Sequence, residues 1–276
     1  MGRNIVKAKL DIIFKTMFSK SENEDILHSF LSTMLELPYD SIKEIVIQNS
    51  EILPETITGK FSRLDLKMQV DDKLVNVEMQ IKNEPDFNDR VLYYWSKLYS
   101  GDLKQSISIN IINFNMFECP EFHSCFKVLE VNRHELLTDK CAIHFFELKK
   151  INKKINKNNR MELWLQLINA ESEEELEMLR QTNVPEIQKA VMVIHQMSED
   201  EKIQELARLR EKALHDEASA LGHARREGEQ IGMEKGEKIG IEKGIEKGKE
   251  EERANIAARL KELGLSDDMI KAALNK

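Results

Sequence analysis

Arg63-Leu-Asp-Leu-Lys-Met-Gln-Val-Asp-Asp-Lys-Leu-Val-Asn-Val-Glu-Met-Gln-Ile-Lys82 is the stretch on which the reading of this chain turns. In its first half Leu64, Leu66, Met68 and Val70 alternate with Arg63, Asp65, Lys67 and Gln69. In its second half Val75, Val77, Met79 and Ile81 alternate with Asn76, Glu78, Gln80 and Lys82. A period of two predicts two half-buried strands, each with one apolar and one polar face. If Asp71-Asp72 is a two-residue turn, partner numbers add to 143, which sets Asp65 opposite Glu78 and Arg63 opposite Gln80. Directly opposed residues have Cβ atoms roughly 4.5–5.5 Å apart, close enough for two carboxylates to share one divalent cation. A three-residue loop would instead need a bulge to restore that facing.

Two facing carboxylates repel unless something positive lies between them. One reading is an ordinary solvated ladder, in which Arg63, Lys67 and Lys82 neutralise the acids on an exposed face. The other is a metal site, with the carboxylates as the hard oxygen ligands that magnesium prefers.

Asp65, followed after twelve residues by Glu78-x-Gln80, resembles the active-site core of the PD-(D/E)XK nuclease superfamily, in the variant where Gln replaces the final Lys. Lys9-Leu-Asp11-Ile-Ile-Phe14-Lys15-Thr-Met-Phe18 resembles the opening of the Rpn family, recombination-promoting nucleases also described as transposases. Asn23 to Leu37 resembles the apolar helix that follows it, and Phe87-Asn-Asp-Arg90-Val-Leu-Tyr-Tyr94 the family's Phe-x-x-Arg-x-x-x-Tyr helix. The motifs fall in family order over residues 7–114.

The resemblance implies that Asp65 and Glu78 hold a divalent metal, Mg²⁺, and that Gln80 stands where a Lys usually orients the attacking water. A Gln can orient by hydrogen bond but brings no charge. Lys82, two residues on and so expected on the same strand face, could supply that charge. Asp11 could add an outer carboxylate if its helix packs over the hairpin's polar face, or serve as a cap or surface charge. Arg90 and Tyr94 are four apart and share a helix face. Arg90 either stabilises charge developing on a phosphate, with the Tyr94 phenol beside it, or pairs with Asp86 while Tyr94 is core.

At 276 residues the chain fits one or two domains. Three cysteines, no leader-like segment and no apolar run long enough to span a bilayer point to a reducing cytoplasm and away from a membrane. Cys119, His123 and Cys125 share one short stretch but lack a fourth ligand at sensible spacing, which argues against a structural zinc. Residues 1–160 hold 23 basic and 23 acidic residues, so the whole net charge of −8 lies in 161–276. An acidic total therefore does not argue against nucleic acid for the first part. Lys149 to Arg160 is a basic run free of acids. It reads as a solvated loop more readily than as a phosphate grip, since nothing aromatic is interleaved.

Helix is expected near 24–36 and 86–100, and strands at Ile42–Ile47, Ser106–Phe114 and Cys141–Leu148 beside the hairpin. The fold class is α/β: a mixed four- to five-stranded sheet flanked by helices, which is also the restriction-endonuclease-like core the resemblance implies. An all-helical C-terminal region follows, with Pro185 opening one of its helices. Gly228, Gly232, Gly236, Gly240, Gly244 and Gly248 recur every four residues among Glu, Lys and Ile. On a helix they form a smooth stripe on which a second soluble helix could pack closely, giving a homo-oligomer through the C-terminal tail. The alternative is a flexible charged spacer. Gly264 suits a helix end and Ser266 the next start, a hairpin that reads as an interaction element more readily than a helix-turn-helix.

The expected organisation is a nuclease-like domain over 1–160, a helical region over 161–220, the glycine ladder over 221–252 and a short helical hairpin over 253–276. The resemblance implies metal-dependent endonuclease action on DNA, linked to recombination or mobile elements. A catalytically weak nuclease fold acting as a DNA- or protein-binding adaptor is the alternative that Gln80 keeps open.

Overall fold

A computed structural model describes residues 5–48 and 66–274. Its elements run α1 (Asp11–Ser19), α2 (Glu24–Met34), β1 (Ile45–Ile47), β2 (Leu66–Val70), β3 (Lys73–Gln80), α3 (Phe87–Asp102) and β4 (Ser106–Ile112). There follow β5 (His123–Phe126), β6 (Cys141–Glu147), α4 (Arg160–Asn169), α5 (Glu173–Arg180), α6 (Pro185–Glu199), α7 (Glu201–Glu262) and α8 (Asp267–Leu274).

The hairpin has the expected register. Leu66 pairs with Val77, Met68 with Val75 and Val70 with Lys73, so the partner numbers add to 143. The turn is Asp71-Asp72, with Asp71 at φ 52°, a left-handed conformation that a short polar side chain tolerates. The Asp71 carboxylate accepts the backbone N–H groups of Lys43 and Glu44, at 2.9 Å each, and so ties the entry of β1 to the turn.

Among the described residues six strands, two more than the lower expectation, form one mixed sheet in the order β1-β2-β3-β4-β6-β5. The pairs β3–β4 and β4–β6 are parallel and the others antiparallel. The unforeseen strand is β5, whose His-Ser-Cys-Phe is too short and too polar to show a period.

Paired residues share a sheet face. Glu78 pairs with Asn110 and Asn110 with Phe145, while Gln80 pairs with Ile112 and Ile112 with Glu147. On this face α3 lays Phe87 and Val91 against Ile112, Ile143 and Phe145. The opposite face, with Val75, Val77, Ile107, Ile109 and Ile111, is equally buried, and α1 lies against β3. Phe14, Phe18, Phe30 and Trp164 join α1, α2 and α4 through an aromatic cluster whose Phe18–Phe30 centroids are 4.7 Å apart. Both faces of β3 are thus covered, which corrects the half-buried strand that alternation predicts: Asn76 and Glu78 are buried.

The chain divides into two compact units, Met1–Lys212 and Ala213–Lys276. Helices α4, α5 and α6 belong to the first. In the second the glycine ladder is helical, and a Cβ at any of its six glycines would meet nothing within 4 Å among the described residues. Gly264, at φ +83°, closes α7 as expected, its N–H donating to Lys261. No described helix is long and apolar enough to cross a membrane.

Candidate active site

Strand β3 lies inside the sheet, so its side chains on the α3 face enter a covered space. Glu78 is 6% exposed there. The anchoring of Phe87 and Val91 fixes the rotation of α3, and Arg90, between them in the chain, reaches back to the end of β3. Its guanidinium lies 5.6 Å from the Phe87 ring centroid. One nitrogen, Nη2, stands 3.4 Å from Glu78 Oε1 and donates to Gln80 Oε1 at 3.1 Å; Nη1 donates to Glu84. Gln80 in turn donates through Nε2 to the Lys82 carbonyl at 2.9 Å.

The remaining oxygen of Glu78, Oε2, is buried with no hydrogen-bond partner among the described residues. Burial pushes the Glu78 carboxyl above the usual carboxylate range, and the Arg90 guanidinium offsets only part of that. A buried acceptor left unpaired costs about 1–3 kcal/mol. The free oxygen can be satisfied by a proton or by a cation. That oxygen is the hard type of donor a divalent ion takes, and among the described residues it is one carboxylate ligand and not a group of three.

A family model described as PD-(D/E)XK nuclease family transposase matches residues 8–224. The chain belongs to this family. No curated protein and no solved structure matches it. The six-stranded mixed sheet with flanking helices is consistent with the fold of the PD-(D/E)XK family, and the matched span contains the hairpin, α3 and α1.

The expected site residues divide into three groups. Glu78, Gln80 and Arg90 come together, with Tyr94 half-buried one turn further along α3. Arg63 and Asp65, and with them the expected pairing of Asp65 with Glu78, lie outside the described residues. Lys82 and Asp11 depart from expectation. The strand stops at Gln80, so Lys82 sits in the bend beyond it and not on the ladder face. Both oxygens of Asp11 accept from Arg210, at 2.9 and 2.7 Å, which turns it away from an outer-carboxylate role. Arg90 does not use the Asp86 side chain in any described contact; only the helical N–H to the Asp86 carbonyl joins them.

Glu84 is the participant that the sequence pattern does not reveal. It stands six residues before Arg90, across Pro85 and the start of α3, where no helical or strand period relates the two. Lys15, inside the motif that opens the chain, is 1% exposed on α1, a position its charge alone would not foretell.

A second titratable cluster lies at the β5 edge. His123 Nε2 is 3.0 Å from His144 Nδ1, and Cys125 Sγ is 3.7 Å from His144 Nε2. Burial, with the charges of His123 and Lys127, holds His144 down to about 4. Among the described residues no group of three His, Cys, Asp or Glu is arranged to hold a metal ion.

Proposed function

We propose that this chain is a metal-dependent endonuclease that hydrolyses DNA phosphodiester bonds in recombination or mobile-element movement, in the cytoplasm. Membership of a nuclease and transposase family supports the general activity. The observation that carries the finer reading is Glu78 itself: a buried carboxylate in a central strand, pushed toward protonation, with one oxygen unpartnered among the described residues. Such a group destabilises the fold unless a ligand uses it.

In this reading Glu78 and Asp65 would hold the metal, which when bound would polarise the phosphodiester and acidify a water. Gln80 orients a water or a phosphate oxygen through its amide. Arg90, shared between Glu78 and Glu84, can exchange Glu84 for a phosphate oxygen, because Glu84 is the more exposed partner. Tyr94 steadies that guanidinium, and Lys82 at the strand's end adds positive charge near the DNA. The helical tail brings a second copy, and with it a second site for the other strand.

Purified protein should nick or linearise supercoiled plasmid in Mg²⁺, and not in Ca²⁺ or EDTA. Glu78→Ala, and Asp65→Ala beside it, should abolish cleavage while circular dichroism reports an intact fold. No cleavage by folded wild type on duplex, single-stranded or branched DNA would overturn the reading. It would favour a non-catalytic adaptor, for which the tied-up Gln80 amide is the supporting feature.

A further inference from the structure

Strand β5 closes one end of the sheet, and among the described residues β6 is its only ladder partner. Two bonds fix which of its groups face inward. The Glu147 N–H donates to the Phe122 carbonyl at 2.7 Å, and the Leu137 N–H to the Val128 carbonyl at 3.0 Å. Alternate residues of an antiparallel strand turn their backbone groups to opposite sides. Phe122, Ser124, Phe126 and Val128 therefore bond inward, while His123, Cys125 and Lys127 point their N–H and C=O groups away from the sheet. No described hydrogen bond uses those outward backbone groups.

The same edge carries exposed apolar side chains. Phe126, Val128, Leu129, Val131, Leu136 and Leu137 all reach solvent. Phe126 is 47% exposed although its ring centroid lies 5.3 Å from that of Phe117 and 5.7 Å from that of Phe145. An open edge strand beside exposed apolar groups is a template for pairing with another chain.

The sequence of the edge indicates which chain. Glu121-Phe-His-Ser-Cys-Phe-Lys127 is complementary to itself read backwards. Laid antiparallel on a second copy about Ser124, its partner numbers add to 248. Glu121 of each copy then opposes Lys127 of the other, and Phe122 of each opposes Phe126 of the other. His123 falls opposite Cys125, so the outward backbone groups meet as a hydrogen-bonded pair. A shift of two residues either way satisfies the backbone equally but sets Glu121 against Cys125, or Lys127 against His123. Only the centred register pairs charge with charge. Glu121 and Lys127 are both exposed, and neither has an ion-pair partner among the described residues. Opposite charges and aromatic pairs directly across a ladder are the contacts that stabilise strand pairing.

We infer that a second copy of this chain pairs its β5 with this one, antiparallel about a twofold axis at Ser124, so that the sheet continues from one copy into the other. The contact is isologous, the same strand serving on both sides. It lies in the first compact unit and is a separate surface from the glycine ladder. His123 and Cys125 keep their side-chain contacts with His144, because the pairing uses only their backbone.

The test is trapping and sedimentation of the full chain. Ser124 and its own copy form a non-hydrogen-bonded pair with Cα atoms about 4.5 Å apart, within the roughly 4.4–6.8 Å that a disulfide spans. Ser124→Cys should therefore give a covalent dimer on a non-reducing gel after copper–phenanthroline oxidation. Wild type should not, because the two copies of Cys125 stand one strand across and two residues along, about 8 Å apart. Lys127→Glu sets acid against acid twice and should weaken association in sedimentation by about tenfold. Adding Glu121→Lys to it should restore association, which loss of folding cannot imitate. A wild type that sediments as a monomer, or a dimer that Ser124→Cys does not trap, overturns the pairing. So does a folded Lys127→Glu that associates as before, or a double variant that stays weak. None of these readouts involves cleavage, so the outcome is independent of the nuclease reading.

Discussion

The sheet carries two clusters of titratable side chains that differ in one respect. On the α3 face Glu78, Gln80, Glu84 and Arg90 surround a carboxylate with one oxygen unpartnered among the described residues. At the β5 edge His123 and Cys125 each contact His144, so both ring nitrogens of His144 have partners. Burial moves the first group's acid up and the second group's bases down, so each favours the neutral form. The edge cluster is complete without a ligand and reads as structure. The central one is incomplete and reads as function.

The sharpest break of that contrast is substitution at each centre. Glu78→Ala should lower Mg²⁺-dependent cleavage by more than the roughly 100-fold that removing an outer partner of a metal ligand can cost. His144→Phe should leave cleavage within about twofold, a difference too small to matter beside a tenfold step of 1.4 kcal/mol. If His144→Phe abolishes cleavage in a folded protein, the two clusters have been assigned the wrong way round. Next in size is Arg90→Ala, expected to reduce cleavage about 10–100-fold, as loss of a positioning contact does. An unchanged rate would reduce Arg90 to a counter-ion.

The pH slopes of stability should have opposite signs. His144 is depressed in the folded chain to about 4 from 6.5, so the unfolded chain binds its proton first as pH falls. Stability is full above 6.5 and is lost on the way down to about 4, by about 1–3 kcal/mol. Denaturant melts of wild type and His144→Phe across that window should converge at high pH and separate at low pH. Glu78 is raised, so the unfolded chain releases its proton first as pH rises. Its contribution is present below the ordinary glutamate value of 4.5 and is lost as pH climbs through the raised folded value. Glu78→Gln should therefore gain on wild type as pH is raised, and Mg²⁺ should narrow the gap by stabilising wild type alone. A variant that melts lower at every pH would show that Glu78 is needed for its pairing with Arg90.

The smallest effect concerns the tail, where a Cβ on any ladder glycine meets nothing within 4 Å among the described residues. Gly236→Ala should raise the stability of α7 by about 0.8–1 kcal/mol if the helix stands alone. If a second copy packs on the stripe, sedimentation should instead show weaker association, and no gain.

Much of the candidate site was legible. Alternation with an Asp-Asp turn was enough for the hairpin register, since a one-residue slip would bring every apolar side chain to the wrong face. Spacing placed Arg90 and Tyr94 on one helix face, and the motif order indicated the family. What was not legible has a common cause. Glu84 meets Arg90 across a break between two elements, Asp11 meets Arg210 across 199 residues, and β5 is recognisable only because β6 gives it a partner.

The sequence alone determined most local elements, the register of the hairpin and the residue types available for chemistry, because period and turn preference act within a few residues. Only the tertiary structure decided which polar face is closed off from water. Alternation shows Glu78 on the same footing as Lys67, yet α3 covers the one while the other stays exposed. Burial turns an ordinary carboxylate into one that needs a partner, and burial depends on what a distant helix lays over the strand.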